Sequence, residues 1–241
     1  MKTIKKIMKL KISRIFVFFL FLFCFENCSS QSKKQQQYSA ERDKAFVEYL
    51  QANNIPFKKL SDSVFNSHYG NFLKYEKTIK LEKNPYLKVN GVYVHYRTPT
   101  SVEFAIYSDQ GTVCLSTSDL NIDGKTLSFP INGVVKVLDV IKVEDFGNFD
   151  ITGNDIKTRK RNKTPFREWY DYVNGTIKND TIYFTKKFVG TDDYKFKKKW
   201  LTKTRKTDFK EIYQPNLKAI KYINGAGLIN YEVTGEFNVE K

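Results

Sequence analysis

Apolar and polar residues alternate in short runs from residue 86 onward. Stretches rich in Val, Ile, Tyr, Phe and Thr are separated by turn residues, the pattern of antiparallel β structure. Asn90-Gly91, between Lys88-Val89 and Val92-Tyr93, reads as a two-residue hairpin turn. Ser108-Asp109-Gln110-Gly111 separates residues 102–107 from 112–117, with Gly111 placed to take a positive φ. Three later segments share one layout: Ile122 and Leu127, Ile151 and Ile156, Ile177 and Ile182 flank Gly124-Lys125, Gly153-Asn154 and Asn179-Asp180. A two-residue loop sets each aliphatic pair directly opposite on one sheet face. Stepping outward by twos from the last turn puts Trp169, Asp171, Val173, Gly175 and Ile177 on the inward face of one strand. Ile182, Phe184, Lys186 and Phe188 share that face on the other, and Tyr170, Tyr172, Thr185 and Lys187 lie on the reverse. A further strand is expected over residues 194–203, anchored by Tyr194, Phe196 and Trp200.

Eight or more strands joined by tight turns make a meander, and a long meander loses its open edges by closing into a barrel. No ten-residue helical pattern interrupts residues 86–206, which argues against alternating βαβ units. The prediction is a mainly β fold, an antiparallel meander closing into a barrel, with a short N-terminal helical segment and a C-terminal extension. In residues 39–85, Ser39 is expected to cap a helix running to about Asn53, with Phe46, Tyr49 and Leu50 on one face and Asn54-Ile55-Pro56 ending it. Residues 57–85 read equally as helix or loop. In the extension, residues 207–241, two extended stretches at 219–223 and 228–233 either add strands or pack as an appendage.

Before all of this lies a different texture. Residues 1–14 carry Lys2, Lys5, Lys6, Lys9, Lys11 and Arg14 and no acid, and residues 15–25 are an unbroken apolar run. A charged start, a short apolar stretch and a processing site make an export signal; eleven apolar residues fall short of the roughly 20 that span a bilayer. Cys28 follows, ahead of the polar stretch 29–37. The arrangement resembles a bacterial lipoprotein signal, which implies cleavage after residue 27, acylation of Cys28 and a tether over residues 28–38. The chain's net charge is +15, from 41 Lys+Arg and 26 Asp+Glu. The leader holds six of those bases and one acid, Glu26, so +5 belongs to it and +10 to the remainder. Of the three cysteines, Cys114 sits in the apolar run Thr112-Val113-Cys114-Leu115 and is expected in the core, leaving no disulfide framework.

Three segments carry a further resemblance: residues 104–113 (Phe-Ala-Ile-Tyr-Ser-Asp-Gln-Gly-Thr-Val), 146–156 (Phe-Gly-Asn-Phe-Asp-Ile-Thr-Gly-Asn-Asp-Ile) and 174–184 (Asn-Gly-Thr-Ile-Lys-Asn-Asp-Thr-Ile-Tyr-Phe). Their texture is similar to that of the lipocalin-like (calycin-type) lipoproteins of the Bacteroidetes group, over roughly residues 90–205, with one extra residue at Asp109-Gln110-Gly111. The resemblance implies a small envelope barrel and no particular chemistry. Asp62-Ser63-Val64 and Asp180-Thr181-Ile182 are similar to the O-glycosylation motif of envelope proteins in that group.

Catalytic signatures are sparse. His68 and His95 are the two histidines, and no spacing of His, Cys and Asp matches a zinc site. A nucleophile elbow, a phosphate-binding loop and an H-E-x-x-H helix are all missing from the sequence. Glu103, Glu144, Glu168 and Asp171 are the carboxylates considered for acid–base pairing. Trp169, Asp171, Phe184, Lys186, Phe188 and Trp200 are the candidate ligand-binding set, with Asp171 and Lys186 one diagonal step apart. Basic clusters around Arg159 and Arg161, and at Lys197, Lys198 and Lys199, are candidates for contact with an anionic surface. The expectation is a non-catalytic, lipid-anchored protein of the outer membrane, on its periplasmic side, binding an apolar small molecule or lipid in its barrel. It is expected to need no cofactor or metal and to bind no nucleic acid. The alternatives are an interaction module that applies basic hairpins to an anionic glycan, lipid or protein, and a hydrolase.

Overall fold

The computed structural model describes residues 35–120, 124–190 and 204–239. The leader, Cys28, Ile122, Trp200 and the cluster Lys197, Lys198 and Lys199 lie outside them. The chain divides into two compact units, Met1–Leu73 and Lys74–Lys241.

In the first unit, helix α1 covers residues 35–52. It stops at Asn54, whose φ of 53° leaves the helical region, and the Ile55 amide closes on the Leu50 carbonyl at 2.9 Å. Ser39 lies within this helix and does not cap it. The ambiguous stretch after Pro56 becomes α2, Asp62–Glu82. Ser61 starts it: its carbonyl accepts from the Phe65 amide at 3.0 Å and its Oγ from the Val64 amide at 3.5 Å. Phe46, Tyr49, Leu50 and Phe72 form a small core with Phe65 and Tyr69, and the Arg42 Nε donates to the Tyr69 hydroxyl at 2.6 Å.

The second unit is antiparallel β. Its strands are β1 (Val92–Thr98), β2 (Ser101–Tyr107), β3 (Thr112–Asp119), β4 (Val134–Thr152), β5 (Asp155–Thr164), β6 (Arg167–Lys178), β7 (Thr181–Gly190), β8 (Arg205–Tyr213), β9 (Leu217–Ile223) and β10 (Ile229–Asn238). They make one sheet in the order β3-β2-β1-β8-β7-β6-β5-β4-β10-β9, and β3 also pairs with β4. The hydrogen bonds of β1 to β8 therefore form a ring in which each strand pairs with its sequence neighbours. β8 returns to β1 through Tyr93↔Tyr213 and Val94↔Ile212. The strand that closes the ring spans the boundary expected between residues 206 and 207.

One core draws on all eight ring strands. Tyr93, Tyr107, Val113, Phe149, Ile151, Ile156, Ile177, Ile182 and Phe184 pack with Phe209 and Tyr213, and Leu81 and Leu87 from the end of α2 and the segment after it join them. A second core lies on the opposite face of β1–β3. There Val92, Val94, Phe104, Ile106 and Cys114 meet Val135, Ile141, Val143, Tyr231, Val233 and Phe237. The long strand β4 connects the two. Residues Glu144–Asn148 pair with β3 and Asn148–Thr152 with β5, while Val134–Val143 pair with β10. Burial on both faces explains why Phe104-Ala105-Ile106-Tyr107 is unbroken by polar residues.

The turns divide the sequence expectations. Ile151↔Ile156 and Ile177↔Ile182 pair as read, Gly111 takes the expected positive φ of 77° between β2 and β3, and Asn179 and Asp180 both take positive φ. Asn90-Gly91 is not a hairpin turn. The Gly91 amide bonds to the Lys88 carbonyl at 3.0 Å, but β1 begins only after it and pairs with β2 and β8. Lys88-Val89 makes no strand because the Lys88 amide is taken by the Tyr93 hydroxyl at 2.9 Å and Val89 packs into the core.

Candidate functional site

The ring core does not fill the ring. A cavity of about 240 Å³ opens beside Tyr107 and Phe184, and every one of the eight strands contributes to its lining. Its wall is apolar: Val113 and Leu115 from β3, Phe146 from β4, Val173 from β6, Phe184 from β7 and Phe209 from β8. Phe184 and Phe209 stack at 4.7 Å between ring centroids. The polar groups converge from adjoining strands: His95 and Arg97 on β1, Glu103 and Tyr107 on β2, Thr158 on β5, Lys187 on β7 and Glu211 on β8. Alternation along each strand puts these side chains inward. His95 stands opposite Glu103 in the β1–β2 register, two residues beyond Tyr93, while Glu211 lies two residues before Tyr213 on β8.

Burial grades the site. Glu211 is 4 % exposed and Tyr107 fully buried, whereas the Arg97 side chain is 55 % exposed. Tyr107 donates its hydroxyl proton to Glu211 Oε2 at 2.7 Å. Burial pushes the Glu211 carboxyl up to about 8, against the lowering effect of that hydrogen bond and with help from the Glu103 charge. Burial likewise raises the Tyr107 phenol well above its ordinary range. His95 donates from Nδ1 to the Lys210 carbonyl at 2.9 Å, an acceptor that fixes the proton on that nitrogen. Burial holds its pKa below the usual histidine value, so the neutral ring turns a bare Nε2 outward from that bond. Glu103 pairs with Arg97 at 3.7 Å.

A neighbouring cavity of about 420 Å³ shares Phe146, Thr158, Val173 and Lys187, and adds Lys160, Asp171, Tyr172, Phe188, Val189 and Arg205. Of the candidate ligand set, Phe184 lines the inner cavity, and Asp171 and Phe188 line this outer one. Trp169 lines neither and lies 5.6 Å from the Arg167 guanidinium. Lys186 faces away: it is exposed and stands against Asn174, and Lys187 takes the cavity position expected for it. The reason is a bulge. Gly175↔Phe184 is followed by Asn174↔Lys186, so Thr185 is the extra residue and every side chain beyond it changes face. Asp171 consequently stands opposite Val189 and accepts from Asn162 Nδ2 at 2.8 Å, without Lys186.

Of the carboxylates considered for chemistry, only Glu103 reaches the inner cavity. Glu168 is engaged by Arg161, at 3.1 and 3.0 Å, and by the Tyr170 hydroxyl. Glu144 is exposed. The sequence reading missed Glu211, His95 as a site residue, and Tyr107. A signal for Glu211 existed: Phe209, Glu211 and Tyr213 alternate in a strand whose middle position is charged. Among the described residues no group of three or more His, Cys, Asp and Glu is placed to hold a metal ion. Arg159 and Arg161 lie on the β5–β6 hairpin with Lys160, Lys163 and Arg167, and at its tip Phe166 is 98 % exposed. Comparison of the chain with protein-family models, curated proteins and solved structures finds no match.

Proposed function

We propose that this chain is a lipid-anchored envelope protein of the outer membrane, facing the periplasm. In this reading the eight-strand ring is a lipocalin-like barrel that binds a small molecule with an apolar body, without catalysis. One observation carries the reading: a single cavity lined by all eight ring strands, with an aromatic and aliphatic wall and a few convergent polar groups. That combination is the usual make-up of a ligand site. The leader and Cys28 support the address. Two acyl chains anchor a protein stably where one does not.

The test is mass spectrometry of small molecules and lipids that co-purify with the acylated protein, set beside a Leu115→Trp variant. Leu115 sits on the cavity wall, and the larger ring displaces the space a ligand needs at a cost of about 1–3 kcal/mol in stability. An apolar ligand present on the parent chain and lost from the folded variant is the expected result. Equal recovery from both would remove the cavity as its site.

A second reading, contact with an anionic surface, draws on the β5–β6 hairpin. Five bases flank a fully presented aromatic residue there, the composition of a segment that settles at a charged lipid interface.

A further inference from the structure

With Glu211 ionised, the buried end of the inner cavity is lined by groups that accept hydrogen bonds. Tyr107 has spent its only proton on Glu211 Oε2. Among the described residues, Glu211 Oε1 has no protein partner, on a side chain more than nine-tenths buried in the cavity wall. His95 Nδ1 is bound to the Lys210 carbonyl, which leaves Nε2 as an acceptor. Glu103 lies opposite His95, with Arg97 on its Oε2. The cations of the cavity, Arg97 and Lys187, are both exposed. A ligand that meets this end with Glu211 ionised must bring donors of its own.

From this geometry we infer that the cavity takes a primary amine, its ammonium group donating to Glu211 Oε1 and His95 Nε2 and its apolar body lying against Phe184 and Phe209. The inference rests on the cavity reading above and names the ligand's polar end. An ammonium group has three donors to distribute and supplies the positive charge that a buried carboxylate lacks. The aromatic walls favour a cation as well. Binding has a proton balance. Glu211 is protonated at neutral pH in the empty cavity, and it gives up one proton as the ammonium salt bridge forms. The other titratable and charged groups around it are His95 and Arg97 from β1, Glu103 and Tyr107 from β2, and Lys187 from β7; β3, β4, β5 and β6 offer Val113, Leu115, Phe146, Thr158 and Val173.

The experiment titrates the full chain with 2-phenylethylamine and with 2-phenylethanol, its neutral isostere, by calorimetry in buffers of different ionisation enthalpy. Expected are binding of the amine at least tenfold tighter than the alcohol at pH 8, release of close to one proton at pH 6 that falls to about half a proton at pH 8, and affinity for the amine rising about tenfold from pH 6 to pH 7. Glu211→Gln, which still accepts from Tyr107, abolishes the proton release and the pH dependence. Tyr107→Phe removes a bond that lowers the Glu211 pKa, and moves the pH profile upward. Equal affinity for amine and alcohol, or an amine affinity untouched by Glu211→Gln, overturns the amine while leaving the cavity as a binding site. Binding of neither compound counts against both.

Discussion

Glu211 is the residue on which the site's electrostatics turn. A carboxyl at about 8 in the folded chain, against 4.5 for its ordinary value, means that the folded state holds a proton the unfolded state has released. Stability therefore falls as pH rises: the stabilising difference is complete below about 4.5 and is lost through about 8, with a total of a few kcal/mol. Thermal melts between pH 5 and pH 9 are expected to show a falling midpoint for the parent chain and a flatter profile for Glu211→Gln. Parallel profiles would mean that Glu211 is not buried as described. Cys114 illustrates the opposite outcome at this scale. It was readable as a core residue, and burial, with the Asp145 charge, pushes its thiol up to about 12; its Sγ donates to the Ile229 carbonyl at 3.2 Å. Its neighbours Val113 and Leu115 announced that environment, whereas for Glu211 the sign was weaker, its alternation with Phe209 and Tyr213.

At the scale of elements, alternation and turn chemistry were legible wherever the ladder is regular. They failed where one residue is added. The Thr185 bulge exchanges Lys186 for Lys187 in the cavity, because a period of two converts a single insertion into a change of face for everything beyond it. β4 shows the same device in its pairing with β3. Its pairing with β3 shifts between Gly147 and Asp145, and a Cβ on Gly147 would stand 2.2 Å from the Arg159 carbonyl oxygen. Gly147→Ala is accordingly expected to cost about 2 kcal/mol or more, since the clash is with backbone. Gly70 in α2 is the contrasting case, exposed with nothing within 4 Å of its added Cβ, so Gly70→Ala is expected to stabilise by about 1 kcal/mol. Chemical denaturation of the two variants checks both signs.

For the whole molecule, charge is the property that most changes meaning. Of the +15, residues 1–27 carry +5, and much of the basic remainder among the described residues lies on hairpins and strand faces. Arg159 lies 5.5 Å from the Tyr170 ring, Lys160 4.2 Å from the Phe146 ring, and Arg161 pairs with Glu168, so part of the β5–β6 cluster is engaged within the fold. Phe166 is not: it stands at the hairpin tip, between this cluster and Arg167. If the hairpin meets an anionic surface, a Cys28→Ser chain, which lacks the proposed acylation site, floats with phosphatidylglycerol vesicles and not with phosphatidylcholine, and Phe166→Ser together with Lys163→Glu weakens that association severalfold. Equal flotation on both vesicle types would leave the +10 as ordinary solvated charge.

The amino-acid sequence by itself determined the class of fold, because strand periodicity and turn residues act locally. Runs of alternating Val, Ile and Tyr around Gly153-Asn154 and Asn179-Asp180 have few other ways to pair. It also set the expectations for export and for Cys28, which rest on residues outside the described fold. Only the tertiary structure decided that β8 closes the ring onto β1, that β9 and β10 cover the far face of β1–β3, and that Glu211, His95 and Tyr107 share one cavity. Those residues are 12 to 116 positions apart in the chain. Their meeting depends on long-range register, one bulge and burial, none of which leaves a mark at the level of neighbouring residues.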